Sequence, residues 1–452
     1  MNSNRTGQGM ASSVPSRTRE RRNWRSLPWH IAVPALASLL IGLWGIDHVG
    51  LWGDERETLL ALPNLLWRQW EAPLLPYYTS MWLWTFGGAL VSDVWLRLAS
   101  VVAMAAAVGL AAATSGRLTS RRAALVAGMA LALMPSIARY AQEVRVYAFA
   151  TLLVALATWI LVRACQGNTR WWWVGYAISL ASIGILAPFA YAVVPAHAVV
   201  VLWDKAMRPS LRPWLIATAT NIPVVIGAAW LAANYGALHD WLAAPEAAQF
   251  VRDLPTMALS PAFGVALFVL AVTTRKGIRW AAAVVVGMAA LWLISQGPAP
   301  FWVQRSFVPL APLLAVAAAF AAARLPWTRI AAVIAVLGLV AWPTLQADRE
   351  PGARGLDPRA FAAVVDREGQ PGDVINTAIN DWFSWGVARY SARPDDYTYA
   401  PSSTGRAWVL DSGVACDRLA EYVVPDSGVL VLCASLPEGW ENRVVRETPA
   451  PS

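Results

Sequence analysis

Long blocks of apolar residues, interrupted at regular intervals by short basic loops, dominate the chain. Residues 31–46, 101–113, 148–162, 281–294 and 308–323 each run without a charge. With their flanks, several reach the roughly 18 apolar or neutral positions that cross a hydrocarbon core as a helix. Reading spans between basic loops predicts about eleven membrane helices, at 28–48, 91–114, 121–138, 145–163, 170–187, 188–203, 213–234, 258–274, 279–296, 303–323 and 327–345. The expected fold class is mainly α, a polytopic transmembrane helical bundle.

Two stretches break this pattern. Residues 54–90 form a long first loop in which Leu59, Leu62, Leu66 and Trp70 recur at helical spacing, with Glu57, Asn64 and Arg68 elsewhere around the wheel. That arrangement predicts a helix lying in the interface plane. Pro73 and Pro76 then break the chain, and 77–86 predicts a second interfacial helix. From about 346 the charges return: Asp357 and Pro358 open a predicted helix over 357–368, and 372–376, 407–410 and 428–432 read as short buried strands. The expected organisation is a basic cytoplasmic tail at 1–27, a membrane bundle at 28–345 and a small soluble α/β domain at 346–452.

Composition agrees. The chain is 57% hydrophobic and 14% charged, whereas soluble domains carry about 25% charged residues. Many of the 26 tryptophans stand at block edges, among them Trp24, Trp29 and Trp171–Trp173, where amphipathic rings favour the interface. The net charge of +8 does not point to nucleic acid, because the basic residues fall on alternate loops. Arg5 to Arg25, Arg117 to Arg122, Arg163 and Arg170, Lys205 to Arg212, Arg275 to Arg279, and Arg324 and Arg329 mark one side. By the positive-inside rule this predicts a cytoplasmic N-terminus and, with an odd span count, an external C-terminal domain. The basic start followed by an apolar block resembles a signal peptide, but without a small-x-small cleavage site it reads as an uncleaved first span. Cys416 and Cys433 both fall in the external domain, where a disulfide or two free thiols are equally compatible with the spacing.

Candidate chemistry collects at one face. Asp54 and Glu55 follow the first span directly, either as a wet loop start or as an acid pair put to use. Between the third and fourth spans stand Arg139, Tyr140, Gln142, Glu143, Arg145 and Tyr147. On a continuous helix Arg139, Glu143 and Tyr147 would share a face, as a self-neutralising cap or as a site. Arg305 at the start of the tenth span could snorkel to the interface or hold a lipid phosphate, and Arg97, near the outer end of the second span, is expected to face the bundle and could do either job. There is no CxxC, GxxxxGK or GxGxxG, and no internal repeat of the kind that marks many transporters.

The order of these elements resembles the GT-C superfamily of membrane glycosyltransferases, in the branch of protein O-mannosyltransferases and lipid A aminoarabinose transferases. The residues that carry the resemblance are Asp54–Glu55, 72–78 with Tyr77 and Tyr78, Phe86–Gly87, 96–100 around Arg97, 142–148, and Arg305 followed by 309–312. Two positions depart from the pattern: Ser306 and Phe307 replace a usual tyrosine, and Glu71–Ala72 stand where many members carry Lys or His. The resemblance covers roughly the first 345 residues. It implies an inverting transferase that moves a sugar from a polyprenyl-phosphate donor to an acceptor hydroxyl of a cell-envelope glycan, lipid or protein. Asp54 would be the base, with Glu55 beside it. Arg97, Arg145 and Arg305 would meet the lipid phosphate, and Glu143, Arg139, Tyr140, Tyr147, Tyr77 and Tyr78 would bind substrate. Such acids could hold a divalent cation, although no spacing demands one. The implied location is a bacterial inner membrane with the site outside. The rival reading, a transporter or flippase of lipid-linked intermediates, predicts polar residues at span midplanes, where this chain has few.

Overall fold

The computed structural model describes residues 28–63, 73–167, 169–234, 243–297, 300–355, 357–377, 381–401, 405–410, 416–424 and 428–436. The basic tail and residues 64–72 of the first loop lie outside the described residues. Every predicted span falls on helix. α1 (Trp29–Leu43) enters the bundle, α2 (Gly53–Ala61) and α3 (Leu75–Trp84) occupy the first loop, and α4 (Asp93–Leu118) returns. α5 (Arg121–Ala132) and α6 (Pro135–Ala141) form one bent unit, with an angle of 61° between them. α7 (Tyr147–Gly167), α8 (Arg170–Leu186) and α9 (Val193–Trp203) follow, then the bent pair α10 (Leu211–Ala219) and α11 (Ile222–Asn234). Short α12 (Ala247–Asp253) precedes α13 (Pro261–Val272) and α14 (Arg275–Ile294). α15 (Gln304–Phe307) and α16 (Ala311–Ala319) belong to one apolar stretch, and α17 (Trp327–Ala347) closes the bundle.

Among the described residues, by length and composition, five helices can cross a membrane, or seven if each bent pair counts as one span; others predicted as spans, such as α1 and α13, are shorter apolar helices. The bundle core is built largely of alanine, valine and leucine around α4, which packs against α1, α5 and α7. Small residues let these backbones approach closely, as expected where lipid offers no hydrophobic drive between helices. A Cβ at Gly128 in α5, for instance, would collide with Pro34 of α1.

The basic loops meet at one end. Arg122 donates to the Leu325 carbonyl at 3.1 Å and lies 5.3 Å from the centroid of the Trp327 ring. Gln166 donates to the Arg117 carbonyl at 3.4 Å. The acids of the first loop and of the α6–α7 junction lie at the opposite end.

After α17 the chain forms an α/β unit with its own core of Phe361, Val365, Ile375, Phe383, Val387 and Trp408. α18 (Pro358–Glu368) begins as predicted, with Asp357 accepting from Arg359 N at 3.0 Å. The three predicted strands appear as β1 (Val374–Asn376), β3 (Ala407–Leu410) and β5 (Gly428–Cys433). β2 (Thr398–Ala400), β4 (Arg418–Val424) and α19 (Asp381–Tyr390) complete the unit. Strand order is β2-β1-β3-β5-β4, parallel on both sides of β1 and antiparallel on both sides of β5. Cys416 and Cys433 form a disulfide, with Cα atoms 5.9 Å apart.

Candidate active site

α2 begins immediately beyond the turn that follows α1, and its first turn carries Asp54 and Glu55. Acids there complement the unpaired N–H groups of a helix start. The two side chains diverge. Glu55 is fully buried: its Oε2 accepts from Trp52 N at 3.1 Å and Arg97 Nη2 at 3.2 Å, and its Oε1 accepts from Val144 N at 2.8 Å. Arg354 Nη1 adds a second cation at 3.7 Å. Asp54 turns to the open side, where Arg305 Nη1 meets its Oδ2 at 2.8 Å.

Arg97 faces the bundle interior, as expected, and does not reach the interface. It is fully buried, and it donates to the carbonyls of Ile46 at 2.8 Å, Val49 at 2.7 Å and Gly50 at 3.0 Å besides pairing with Glu55. Burial forces those contacts, since an unpaired guanidinium in this interior is costly. It shapes the turn from α1 to α2 and leaves Asp54 outside.

The stretch 139–147 is not one continuous helix, in keeping with its place between the third and fourth predicted spans. α6 ends at Ala141 and α7 starts at Tyr147, because other groups take the intervening carbonyls. Ser100 Oγ donates to Glu143 O at 2.7 Å, Thr58 Oγ1 to Val144 O at 2.9 Å, and Arg354 Nη1 to Gln142 O at 2.8 Å. With its carbonyls satisfied sideways, the segment needs no helix. Arg139 still pairs with Glu143 at 3.3 Å, as the one-turn spacing predicted, and also reaches Asp348 at 2.8 Å. Burial raises the Glu143 carboxyl above its ordinary range, and Arg139 opposes that effect. Tyr147 turns instead toward Tyr140, 5.5 Å away between ring centroids, and toward Arg305, whose guanidinium lies 5.9 Å from its ring. Arg145, carried by the same break, donates from Nη1 to the Asp54 carbonyl at 3.0 Å. Tyr77 and Tyr78 on α3 are buried, Tyr77 packing edge-on against Phe149 at 5.8 Å.

Three residues that sequence reasoning did not single out as site residues complete the constellation: Asp348, Arg349 and Arg354, just beyond α17. Arg349 pairs with Asp348 at 2.9 Å and donates to the Trp44 carbonyl at 3.0 Å. The return of charge after the last apolar block was their only signal, and it reads equally as a domain linker. Within the constellation six guanidiniums (Arg97, Arg139, Arg145, Arg305, Arg349, Arg354) face four carboxylates (Asp54, Glu55, Glu143, Asp348), leaving two positive charges in excess. Side-chain exposure separates the acids: 30% for Asp54, against 0% for Glu55, 1% for Glu143 and 8% for Asp348. Among the described residues no three His, Cys, Asp or Glu side chains come together as metal ligands, and these acids are matched by arginines.

Comparison with known proteins agrees with this architecture. Residues 71–231 match the family model of dolichyl-phosphate-mannose-protein mannosyltransferases. No curated protein matches by sequence. Among solved structures the chain is similar to ArnT from Cupriavidus metallidurans in the apo state, at 12% identity and a TM-score of 0.56, covering 89% of this chain and 97% of that one. The same protein bound to undecaprenyl phosphate aligns at 12% identity and a TM-score of 0.53 over the same shares of the two chains. Such identities speak to fold. Its apolar helices mark the chain as a multi-pass membrane protein, with a fold similar to that of ArnT and a segment that matches the mannosyltransferase model.

Proposed function

We infer that this protein is an inverting glycosyltransferase that moves a sugar from a polyprenyl-phosphate donor to an acceptor hydroxyl on the outer face of a bacterial inner membrane. One observation carries the reading. Asp54 is the open acid of the constellation, and it stands between Arg145 and Arg305 in a cluster that, among the described residues, holds two more guanidiniums than carboxylates. An exposed carboxylate beside surplus guanidiniums suits a reaction that removes a proton from one reactant and leaves negative charge on the other. The ArnT structure with undecaprenyl phosphate, and the mannosyltransferase model, support a lipid-linked donor.

In the proposed reaction the acceptor hydroxyl attacks the anomeric carbon from the face opposite the phosphate, and Asp54 takes its proton. The bond from the anomeric carbon to the phosphate oxygen breaks with its electron pair going to that oxygen, so polyprenyl phosphate departs with inversion at carbon. Arg145 and Arg305 meet the charge that develops on the leaving phosphate, Arg through its fork of donors. Glu55, closed off from the site, holds α2 against the α6–α7 break. In doing so it sets Asp54 near Arg145, since Val144 N bonds Glu55 Oε1 at 2.8 Å. Any cation chemistry would have to come from outside this arginine-matched set.

The test is to supply the purified full-length protein with a panel of polyprenyl-phosphate sugars and candidate acceptors and to follow sugar transfer. Transfer or slow donor hydrolysis that vanishes in Asp54→Asn supports the reading. Indifference of wild type to every donor, with no binding of polyprenyl phosphate, would remove it.

A further inference from the structure

We propose that the Asp54–Arg305 ion pair is a latch, opened by the donor phosphate, that withholds the base until the donor has bound; this rests on the function proposed above. Three observations bear on it. First, the 2.8 Å bond from Arg305 Nη1 occupies Asp54 Oδ2, one of the two oxygens able to take a proton. A carboxylate engaged by a guanidinium is a poor base toward a neutral hydroxyl, because the proton must displace a charge-assisted bond. Second, the main chain of Asp54 is held apart from its side chain. Arg145 grips the Asp54 carbonyl at 3.0 Å, and Glu55 next to it is bonded at both oxygens. The carboxylate can therefore change partner by side-chain rotation while α2 stays in place.

Third, two buried donors beside the latch are left without a partner. Arg145 Nε and Trp52 Nε1 are buried N–H groups that meet no acceptor among the described residues. The guanidinium of Arg305 lies 5.7 Å from the Trp52 ring centroid, so these donors and the latch share one neighbourhood. Buried donors without acceptors signal a missing anion with several oxygens. A phosphate group satisfies that signal, and a carboxylate already in place does not. An arriving phosphate then competes with Asp54 for Arg305, and its charge also disfavours the carboxylate's old position. Transfer of Arg305 to the phosphate places the leaving-group cation and frees the base in a single exchange. Donor binding thus precedes productive binding of the acceptor hydroxyl.

The exchange has a thermodynamic signature in the absence of any sugar or turnover. The measurement is equilibrium binding of undecaprenyl phosphate to the full-length protein in lipid nanodiscs, for wild type, Asp54→Asn, Arg305→Gln and the double variant. If phosphate must break the latch, Asp54→Asn tightens binding roughly tenfold, because Arg305 is no longer shared. In the Arg305→Gln background the same Asp54→Asn change then alters affinity by less than about twofold. An unchanged affinity in Asp54→Asn overturns the latch. So does an equal gain in both backgrounds, which would mean simple repulsion between carboxylate and phosphate. Wild type that binds no undecaprenyl phosphate sinks the functional reading along with the latch, a result distinct from the other two. Should the amide variants fail to fold, Asp54→Ser and Arg305→Met provide the same cycle.

Discussion

Tyr390, at the end of α19 in the C-terminal unit, donates its hydroxyl to Asp93 Oδ2, the first residue of α4, across 2.6 Å. The same hydroxyl accepts Leu51 N–H at 3.0 Å, from the turn that leads into Asp54. Arg389 and Arg359 bind the other faces of the Asp93 carboxylate at 2.6 and 2.9 Å, and Arg359 also donates to the Asp47 carbonyl. The turn carrying the site is thus held by Arg97 from within the bundle and by the C-terminal unit from outside. Burial, with Asp93 beside it, pushes the Tyr390 phenol up to about 12, so the hydroxyl stays protonated and able to donate at any working pH.

This staple predicts a coupled loss. Tyr390→Phe removes both bonds while keeping the ring, and Asp93→Asn leaves two arginines short of a counter-charge. Each is expected to cost about 1–3 kcal/mol. Limited proteolysis of the 46–52 turn should accelerate along with a fall in melting temperature. A turn as resistant as in wild type would show that the staple is dispensable.

The two neighbouring acids of α2 should behave in opposite ways. Asp54→Asn is expected to lower transfer by a factor on the order of 10²–10⁴ with an unchanged melting temperature. Glu55→Gln strands Arg97 and Arg354 as buried charges, so it should cost about 3–5 kcal/mol of stability. Paired thermal melts and turnover measurements decide between them. A stable Glu55→Gln protein with turnover abolished would move the base to Glu55.

Two arginines of the constellation should also separate. Arg305→Ala is expected to raise the donor KM and reduce turnover while the fold survives, since its partner Asp54 is solvated. Arg97→Ala leaves Glu55 and three carbonyls without their donor, and should appear as poor yield and a low melting temperature. Donor titrations on detergent-solubilised variants distinguish the two patterns.

A last prediction concerns a polar chain inside the bundle. Trp214 Nε1 donates to the Tyr176 hydroxyl at 3.1 Å, and Tyr176 and Thr158 flank the ring nitrogens of His197 at 2.9 and 3.0 Å. A neutral imidazole accepting from Tyr176 and donating to Thr158 satisfies every member, because Thr158 then donates to Val154 O at 2.7 Å. His197→Leu is therefore expected to cost about 1–2 kcal/mol by unpairing groups on two other helices. Steady-state transfer at low temperature should remain near normal. A melting temperature equal to wild type would mean that water replaces the ring.

How much of this was legible in the chain follows from the range of each physical signal. Apolar blocks and basic loops are local, so the helical segments and the placing of the 117–122 and 324–329 loops on one side could be read without coordinates. Asp357–Pro358 announced α18 for the same reason, and the apolar runs announced β1, β3 and β5. The polar segment 139–147 was recognisable as a cluster, but its geometry was not. Its helix is broken by Ser100, Thr58 and Arg354, donors far away in sequence whose claims on its carbonyls no periodicity reports. The roles of the acids divided in the same way. By sequence Asp54 and Glu55 are equivalent neighbours. Only packing decided that Glu55 faces Arg97 and Arg354 in the interior while Asp54 faces Arg305 and the open side. Charge pairing between segments hundreds of residues apart, such as Arg139 with Asp348 and Arg389 with Asp93, is a property of the folded arrangement. Hydrophobic period determines which elements form, and burial determines which of their charges are structural and which remain available for chemistry.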